Sequence, residues 1–293
     1  MGAPVGLFGL GLIGSALAGR LLGAGYAVVG HDPNADRGRE LSDAGGEAVA
    51  AADVWRAQTV LSAVFDTDQL AGVIDSAPSE SGALLVSMST CDPARMADLE
   101  VRARAKGLAL VEAPISGTSQ QLRQGVATLL LAGEDAALDR LEPILPALTN
   151  TAIRVGPIGN GNRTKLAINL ILGLNRAALA EGLVFGQSIG LDPARLLEVA
   201  RQSAAASSVM SQKGDAMVAR EFTPLGRIAQ SHKDFSLIRE TARSHGMGSL
   251  PFAATYLSMM ENCIGAGEAD LDNAAILNAI ERAASATGDV KGD

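Results

Sequence analysis

Lysine is scarce in this sequence: it occurs only at positions 106, 165, 213, 233 and 291, and arginine supplies the rest of the 24 basic residues. Lys165 draws notice because, of the two basic side chains, only lysine is readily tuned to give up its proton. On an ideal helix Asn169 lies one turn beyond Lys165 and Arg176 falls almost on the same line. Asn162 joins that side if the helix has already begun there. The surrounding surface is built from Leu166, Ile168, Leu170, Ile171, Leu172 and Leu174. A narrow polar stripe on so apolar a helix points to a polar cleft rather than to bulk water. Reduction of an aldehyde or ketone leaves an alkoxide that must be stabilised and protonated. An ammonium beside that oxygen does both, and in reverse a neutral lysine takes the hydroxyl proton. Partial burial favours the neutral form and brings a lysine nearer the working pH. Lys165 is thus the expected general acid and base, with Asn169 orienting the lysine or the substrate. The competing role is a solvated lysine on an exposed stripe, where most lysines sit.

A second pattern supplies the redox partner. Gly9-Leu10-Gly11-Leu12-Ile13-Gly14 is a G-x-G-x-x-G that follows the first strand directly and opens the first helix. The first glycine permits the tight turn, the second lets a pyrophosphate approach the backbone, and the third lets helix and strand pack closely. Backbone N–H groups and the helix dipole favour the phosphate charge there. His31-Asp32 ends the second strand eighteen residues after Gly14, where an acidic side chain holds the adenosine ribose hydroxyls. A carboxylate at that place favours NAD over NADP, whereas Arg37, early in the next helix, is near enough to reach a 2′-phosphate.

The elements that must position these groups alternate through the first half. Strands are expected at 5–8, 27–30, 59–64, 83–87, 108–111, 127–132 and 151–155, mostly as near-continuous apolar runs. Helices are expected at 12–22, 35–44, 92–105 and 135–148, the third with Asp92 as N-cap and Pro93 at its first position. Such alternation implies an α/β fold with a Rossmann-type doubly wound sheet. After Gly161 the strand signals vanish, and helices are expected at 166–186, 193–201, 231–243, 251–263 and 272–284. The expected organisation is therefore a dinucleotide-binding domain over 1–158 and an all-helical substrate and oligomerisation domain over 159–293. The absence of a flexible linker implies rigid docking of the two halves with a cleft between them. The tail 287–293 is polar and expected to fray.

Composition excludes several other classes. The 293 residues are 47% hydrophobic, with 33 glycines and a net charge of −8, which rules out wholesale disorder and makes nucleic acid or an anionic membrane a poor partner. Cys91 and Cys263 are too few for a disulfide framework and suit a reducing compartment, so the expected location is cytoplasmic. The N-terminus does not read as a secretory signal. The nearest thing to a membrane span, 166–189, carries Asn169, Asn175, Arg176 and Glu181, which are costly at a bilayer centre. The histidines have no metal-ligand spacing with either cysteine, and no metal is expected.

Four further segments make the chain resemble the β-hydroxyacid dehydrogenase family, the relatives of 3-hydroxyisobutyrate dehydrogenase. The glycine turn matches that family's G-L-G-x-M-G, with Ile13 in the methionine's place. Glu112-Ala113-Pro114-Ile115-Ser116-Gly117-Thr118 resembles its D-A-P-V-S-G-G substrate loop. Gly159 to Asn169 fits its G-x-G-x-x-x-K-x-x-x-N without a gap, and Lys233-Asp234-Phe235 its late K-D-L. Met88-Ser89-Thr90 with Pro93 looks like its nicotinamide-side loop. The resemblance implies an NAD(P)-dependent oxidoreductase acting on a small 3-hydroxy acid or the matching semialdehyde. It implies cofactor contacts from Gly9, Leu10, Gly11, Leu12, Ile13, Gly14, Asp32, Val64, Phe65, Thr90 and Lys233. Ser89, Ser116, Gly117 and Thr118 are expected to meet the substrate. For Lys233 the competing role is a surface ion pair with Asp234, and for the pair Ser89-Thr90 a helix N-cap arrangement. Thr118 departs from the family's second glycine and Phe65 from its proline, so the pocket shape is expected to differ. Two rival readings share the turn: an imine reductase of the same architecture, a group that generally lacks the lysine, and a dinucleotide sensor without turnover. The long apolar helix is expected to be buried in part by a partner subunit, as a homodimer or homotetramer.

Overall fold

The computed structural model describes residues 4–286; residues 1–3 and the tail 287–293, expected to fray, lie outside the described residues. The chain divides into two compact units, Met1–Leu166 and Ala167–Asp293.

Among the described residues the first unit has nine strands: β1 (Val5–Phe8), β2 (Val28–His31), β3 (Glu47–Ala48), β4 (Thr59–Ser62), β5 (Leu84–Ser87), β6 (Ala109–Glu112), β7 (Ile115–Ser116), β8 (Thr128–Ala132) and β9 (Thr151–Gly156). Their order is β3-β2-β1-β4-β5-β6-β8-β7, with β9 on β8. The sheet is parallel from β3 to β6, and β8 then runs antiparallel to β6. Chain order reverses at β1, which lies between β2 and β4; the crevice outside the carboxyl ends of such strands is where open α/β sheets take ligands. Leu61, Val86 and Val111 face one core with Leu17 and Leu21 of the first helix, while Val60, Leu85 and Leu110 face the other with Ile74 and Leu99. Both faces are covered, which explains the unbroken apolar runs.

The helices of this unit are α1 (Leu12–Gly23), α2 (Ala35–Asp43), α3 (Ala51–Val54), α4 (Thr67–Ser76), α5 (Met96–Ala105), α6 (Ser119–Arg123), α7 (Asp135–Leu141) and α8 (Leu145–Leu148). Two expectations are corrected here. α5 begins at Met96 and not at Asp92: the Asp92 carboxylate accepts the Ala94 N–H at 2.9 Å, closing a local turn ahead of the helix. The expected single helix over 135–148 is broken by a 3₁₀ turn at Glu142–Ile144, since Pro143 and Pro146 donate no backbone hydrogen bond.

Helix α9 (Asn160–Ser188) begins in the first unit and runs on without a break into the second, which is otherwise α10 (Pro193–Arg201), α11 (Ser208–Ala219), α12 (Ile228–Ser244), α13 (Pro251–Gly265) and α14 (Ile276–Ala286). By length and composition α9 could cross a membrane, with mean hydropathy 1.4 over its most apolar window. Two of its polar residues have protein partners: Asn169 bonds to Asp234 and Arg176 to the Tyr256 hydroxyl, at 2.8 and 2.9 Å. A Cβ at Gly173 would stand 2.4 Å from the Phe235 ring, so α12 packs directly onto the backbone of α9.

Candidate active site

The glycine turn shows three glycines with two different duties. Gly9 has φ +83°, and a Cβ there would stand 2.6 Å from the Ala63 carbonyl oxygen; at Gly14 a Cβ would lie 1.9 Å from the Gly9 carbonyl oxygen. These two are required by the protein's own backbone. At Gly11 the nearest atom to a Cβ would be in the Arg37 guanidinium, 3.9 Å away, and no side chain caps the start of α1. An open backbone over an uncapped helix start fits a pyrophosphate, and a dinucleotide is the group these residues suit.

Asp32 follows β2 and serves that turn directly. Its Oδ2 accepts the Leu10 N–H at 2.8 Å and Arg37 Nη1 at 3.1 Å, while Oδ1 accepts the Asn34 N–H at 2.9 Å. Burial acts to raise this carboxyl, but the Leu10 and Asn34 amides and the Arg37 guanidinium outweigh it and hold it below its ordinary value. Asp32 is therefore an anion at neutral pH, and Arg37 is already committed to it.

At the carboxyl edge of the sheet, Ser89 Oγ donates to the Val64 carbonyl at 2.7 Å. Phe65 is exposed, with its N–H given to Gln69, and Thr90 is buried. Ser89 and Thr90 do not cap α5, which starts several residues later. Directly after β7, Gly117 has φ +148°, and a Cβ there would stand 3.0 Å from the Ala127 Cβ. Thr118 uses its side chain locally: its hydroxyl accepts the Gln121 N–H at 3.1 Å while Gln121 returns a bond to the Thr118 N–H, a capping box for α6. The added side chain, relative to glycine, is thus engaged with α6, and Ser116 is half-buried just ahead of it.

Lys165 is buried, 8% exposed, on the second turn of α9. The solvated-stripe role is excluded by that burial. One turn before it, Asn162 is fully buried; its Oδ1 accepts the Cys91 N–H at 2.7 Å and its Nδ2 donates to the Glu112 carboxylate. Glu112, the last residue of β6, also accepts the backbone N–H groups of Gly159 and Asn162. Burial pushes the Glu112 carboxyl up, against the Asn162 side chain and these amides, which draw it down. The sequence offers Glu112 only as the first residue of the loop motif, and Asn162 joins the lysine's side only because α9 has already begun at Asn160. The signal is a lone charge closing the apolar run Ala109-Leu110-Val111.

In the second unit, Asn169 Nδ2 donates to Asp234 Oδ2 at 2.8 Å, and Lys233 Nζ lies 3.3 Å from Asp234 Oδ1. The Lys233 side chain is 16% exposed, so this is not a solvated surface pair. The structure thus joins Asn169 to the Lys233-Asp234 segment, sixty-five residues away in the chain. Lys165 and Asn169 are one turn apart on the same helix. Cys91 and Cys263 are free and buried. Among the described residues no group of three or more His, Cys, Asp or Glu is arranged to hold a metal ion.

Comparison with known proteins agrees with this geometry. Residues 4–156 match the family model described as the NAD binding domain of 6-phosphogluconate dehydrogenase, and residues 159–280 the one described as NAD-binding of NADP-dependent 3-hydroxyisobutyrate dehydrogenase. The chain is 29% identical to 2-hydroxy-3-oxopropionate reductase of Escherichia coli, over 94% of this chain and 97% of that one. It is also 29% identical to L-threonate dehydrogenase of Cupriavidus necator, over 94% and 96% respectively. Among solved structures, 3-hydroxyisobutyrate dehydrogenase from Salmonella typhimurium superposes with a TM-score of 0.85 at 26% identity, covering 94% of this chain and 99% of that one.

Proposed function

Because the chain belongs to the family defined by the NAD binding domain of 6-phosphogluconate dehydrogenase, we propose that it transfers a hydride between NAD(P) and a small 3-hydroxy acid or the matching semialdehyde. The chain is an oxidoreductase of the NAD(P)-dependent kind, with a Rossmann domain followed by a helical one. In our reading residues 1–158 form the dinucleotide-binding domain, and 159–293 the substrate and oligomerisation domain. Gly9, Leu10, Gly11, Leu12, Ile13 and Gly14 would hold the pyrophosphate and Asp32 the adenosine ribose, which favours NAD; Val64, Phe65, Thr90 and Lys233 complete the dinucleotide contacts. When bound, the nicotinamide supplies or accepts the hydride. Lys165 gives a proton to the carbonyl oxygen as the substrate is reduced, and takes the hydroxyl proton in the oxidative direction. Ser116 and the Gly117 backbone receive the acidic head of the substrate together with Ser89 and Thr118, and Asn169 orients the lysine or the substrate.

The observation that carries this reading is the burial of Lys165 on a helix whose first turn is bonded to Cys91 and to Glu112, the ends of the two loops that flank the chemistry. The names of the relatives, which describe reductases and dehydrogenases of small hydroxy acids, support the substrate class. An imine reductase reading is disfavoured by Lys165, and a sensor reading by the same buried lysine. The test is reduction of NAD and of NADP against a panel of small 3-hydroxy acids, with the matching semialdehydes in reverse. Turnover on at least one three- or four-carbon acid is expected, faster with NAD. Dinucleotide binding with no turnover on any member would overturn the reading in favour of a sensor.

We further place the protein in the cytoplasm, on the strength of its two free thiols, and as a homodimer or homotetramer. Ile171 and Phe185 project from α9 at 61% and 63% exposure, two heptads apart on one line. A gel-filtration mass near that of the 29.9 kDa monomer at micromolar concentration would contradict the assembly.

A further inference from the structure

We propose that Glu112 and Asn162 form a positioning pair that sets where the Lys165 ammonium stands relative to the two loops flanking the chemistry. The inference rests on the reading of Lys165 as acid and base. Three segments meet at this pair. Glu112 ends β6 and is the root of the Ser116–Gly117 loop, to which it is joined by only Ala113, Pro114 and Ile115. Asn162 lies in the first turn of α9 and bonds both to Glu112 and to the Cys91 N–H, next to Thr90. The Glu112 carboxylate also receives the N–H groups of Gly159 and Asn162, donors that a helix start leaves without intrahelical partners. Lys165 follows Asn162 by three residues, so it lies on the same side of α9, one turn along.

The site is shaped for this contact. A Cβ at Gly161 would stand 2.8 Å from the Glu112 Cβ, so a glycine is what lets the helix start sit against the end of the strand. Glu112 and Asn162 are both fully buried, which leaves their hydrogen bonds with no competition from water and makes each one costly to lose. A carboxylate with an excess of acceptor sites is suited to several converging donors; a neutral amide of the same shape is not, because its NH₂ end would meet another N–H. Neither residue has to touch the substrate. Their effect on the reaction runs through the place of Lys165, and a displacement of about 1 Å in such a group costs up to 10²-fold in rate.

Glu112→Gln tests this in the full chain. Dinucleotide binding counts the folded sites, and kcat per site is then measured together with the primary deuterium isotope effect from a C-deuterated hydroxy acid. The proposal predicts a dinucleotide Kd within about twofold of wild type, kcat per site lowered by about tenfold or more, and a larger isotope effect on kcat, because a misplaced acid slows the chemical step itself. Unchanged kcat per site and isotope effect would mean that Glu112 only helps the chain fold, and would overturn the proposal. Should Glu112→Gln not fold, Glu112→Asp keeps the charge on an arm one methylene shorter and is read by the same two quantities. Lys165→Ala run beside it separates the two claims. An active Lys165→Ala overturns the acid–base reading; an inactive one beside a fully active Glu112→Gln overturns the positioning alone.

Discussion

Two carboxylates stand at the carboxyl ends of parallel strands in the first unit, and each receives backbone N–H groups near the start of a helix. Asp32 does this after β2 for the turn ahead of α1; Glu112 does it at the end of β6 for α9. Their acidities move in opposite directions. Asp32 has the Arg37 guanidinium at 3.1 Å and is held below its ordinary value, whereas burial dominates at Glu112 and raises it. The difference follows the work each end of the sheet has to do. The Asp32 side chain is only 6% exposed, but it has a cationic partner in the half-buried Arg37, and in the proposed reading this fixed anion would hold a ribose. A buried brace needs many acceptors in one place, and it carries the cost of desolvating its charge.

The sharpest way to separate the two regions is a pair of glycine substitutions. Gly161→Ala drives a methyl into the Glu112 Cβ, so stability should fall by about 1–3 kcal/mol and kcat should fall with it. Gly11→Ala meets nothing closer than 3.9 Å; stability should stay within about 0.5 kcal/mol of wild type while dinucleotide affinity drops. Chemical denaturation and a dinucleotide titration on both variants would reveal whether the two glycines differ in this way. Equal stability losses would erase the distinction.

Asp32→Asn comes next in size. Removing the anion should shift the NAD-to-NADP affinity ratio toward NADP by on the order of tenfold or more, since a like charge no longer faces the 2′-phosphate. A ratio unmoved by the substitution would show that Asp32 holds the turn through Leu10 and does not select the cofactor.

The smallest effect is one of sign in stability against pH. Asp32 is depressed in the folded chain, so its contribution is complete above its unfolded value of 3.8 and is lost as pH falls through the lower folded value. Glu112 is raised, so its contribution is complete below 4.5 and is lost as pH rises through the higher folded value. The destabilisation caused by Asp32→Asn should therefore hold from about pH 7 down to about 4 and shrink only below that, whereas that caused by Glu112→Gln should grow as pH falls from about 7 towards 4.5. Denaturation midpoints across that range check it; parallel slopes would contradict the opposed acidities.

Much of the first region could be read from sequence because its logic is local. Gly9, Gly11, Gly14 and Asp32 lie within one strand–helix–strand unit, and their spacing alone places them together. The parallel order of β4 and β5 also required a crossover such as α4, which periodicity alone did not reveal. The second region escaped because its bonds span long stretches of chain. Glu112 to Asn162, and Asn169 to Asp234, are separated by fifty and sixty-five residues, and no local pattern announces them. The start of α5 escaped for a related reason. Cys91 and Asp92 give their N–H groups to Asn162 and Thr67, so distant partners, not the Asp92-Pro93 pair, decide where that segment turns.

The central claim is that Lys165 moves the proton that hydride transfer requires. Single-turnover oxidation of a turned-over hydroxy acid by Lys165→Ala, with dinucleotide saturating and its binding measured separately, tests it most directly. The account predicts dinucleotide binding like that of wild type and a hydride-transfer rate lower by about 10²–10⁴-fold. A rate within about threefold of wild type, far short of the loss expected on removing a positioned acid and base, would contradict it.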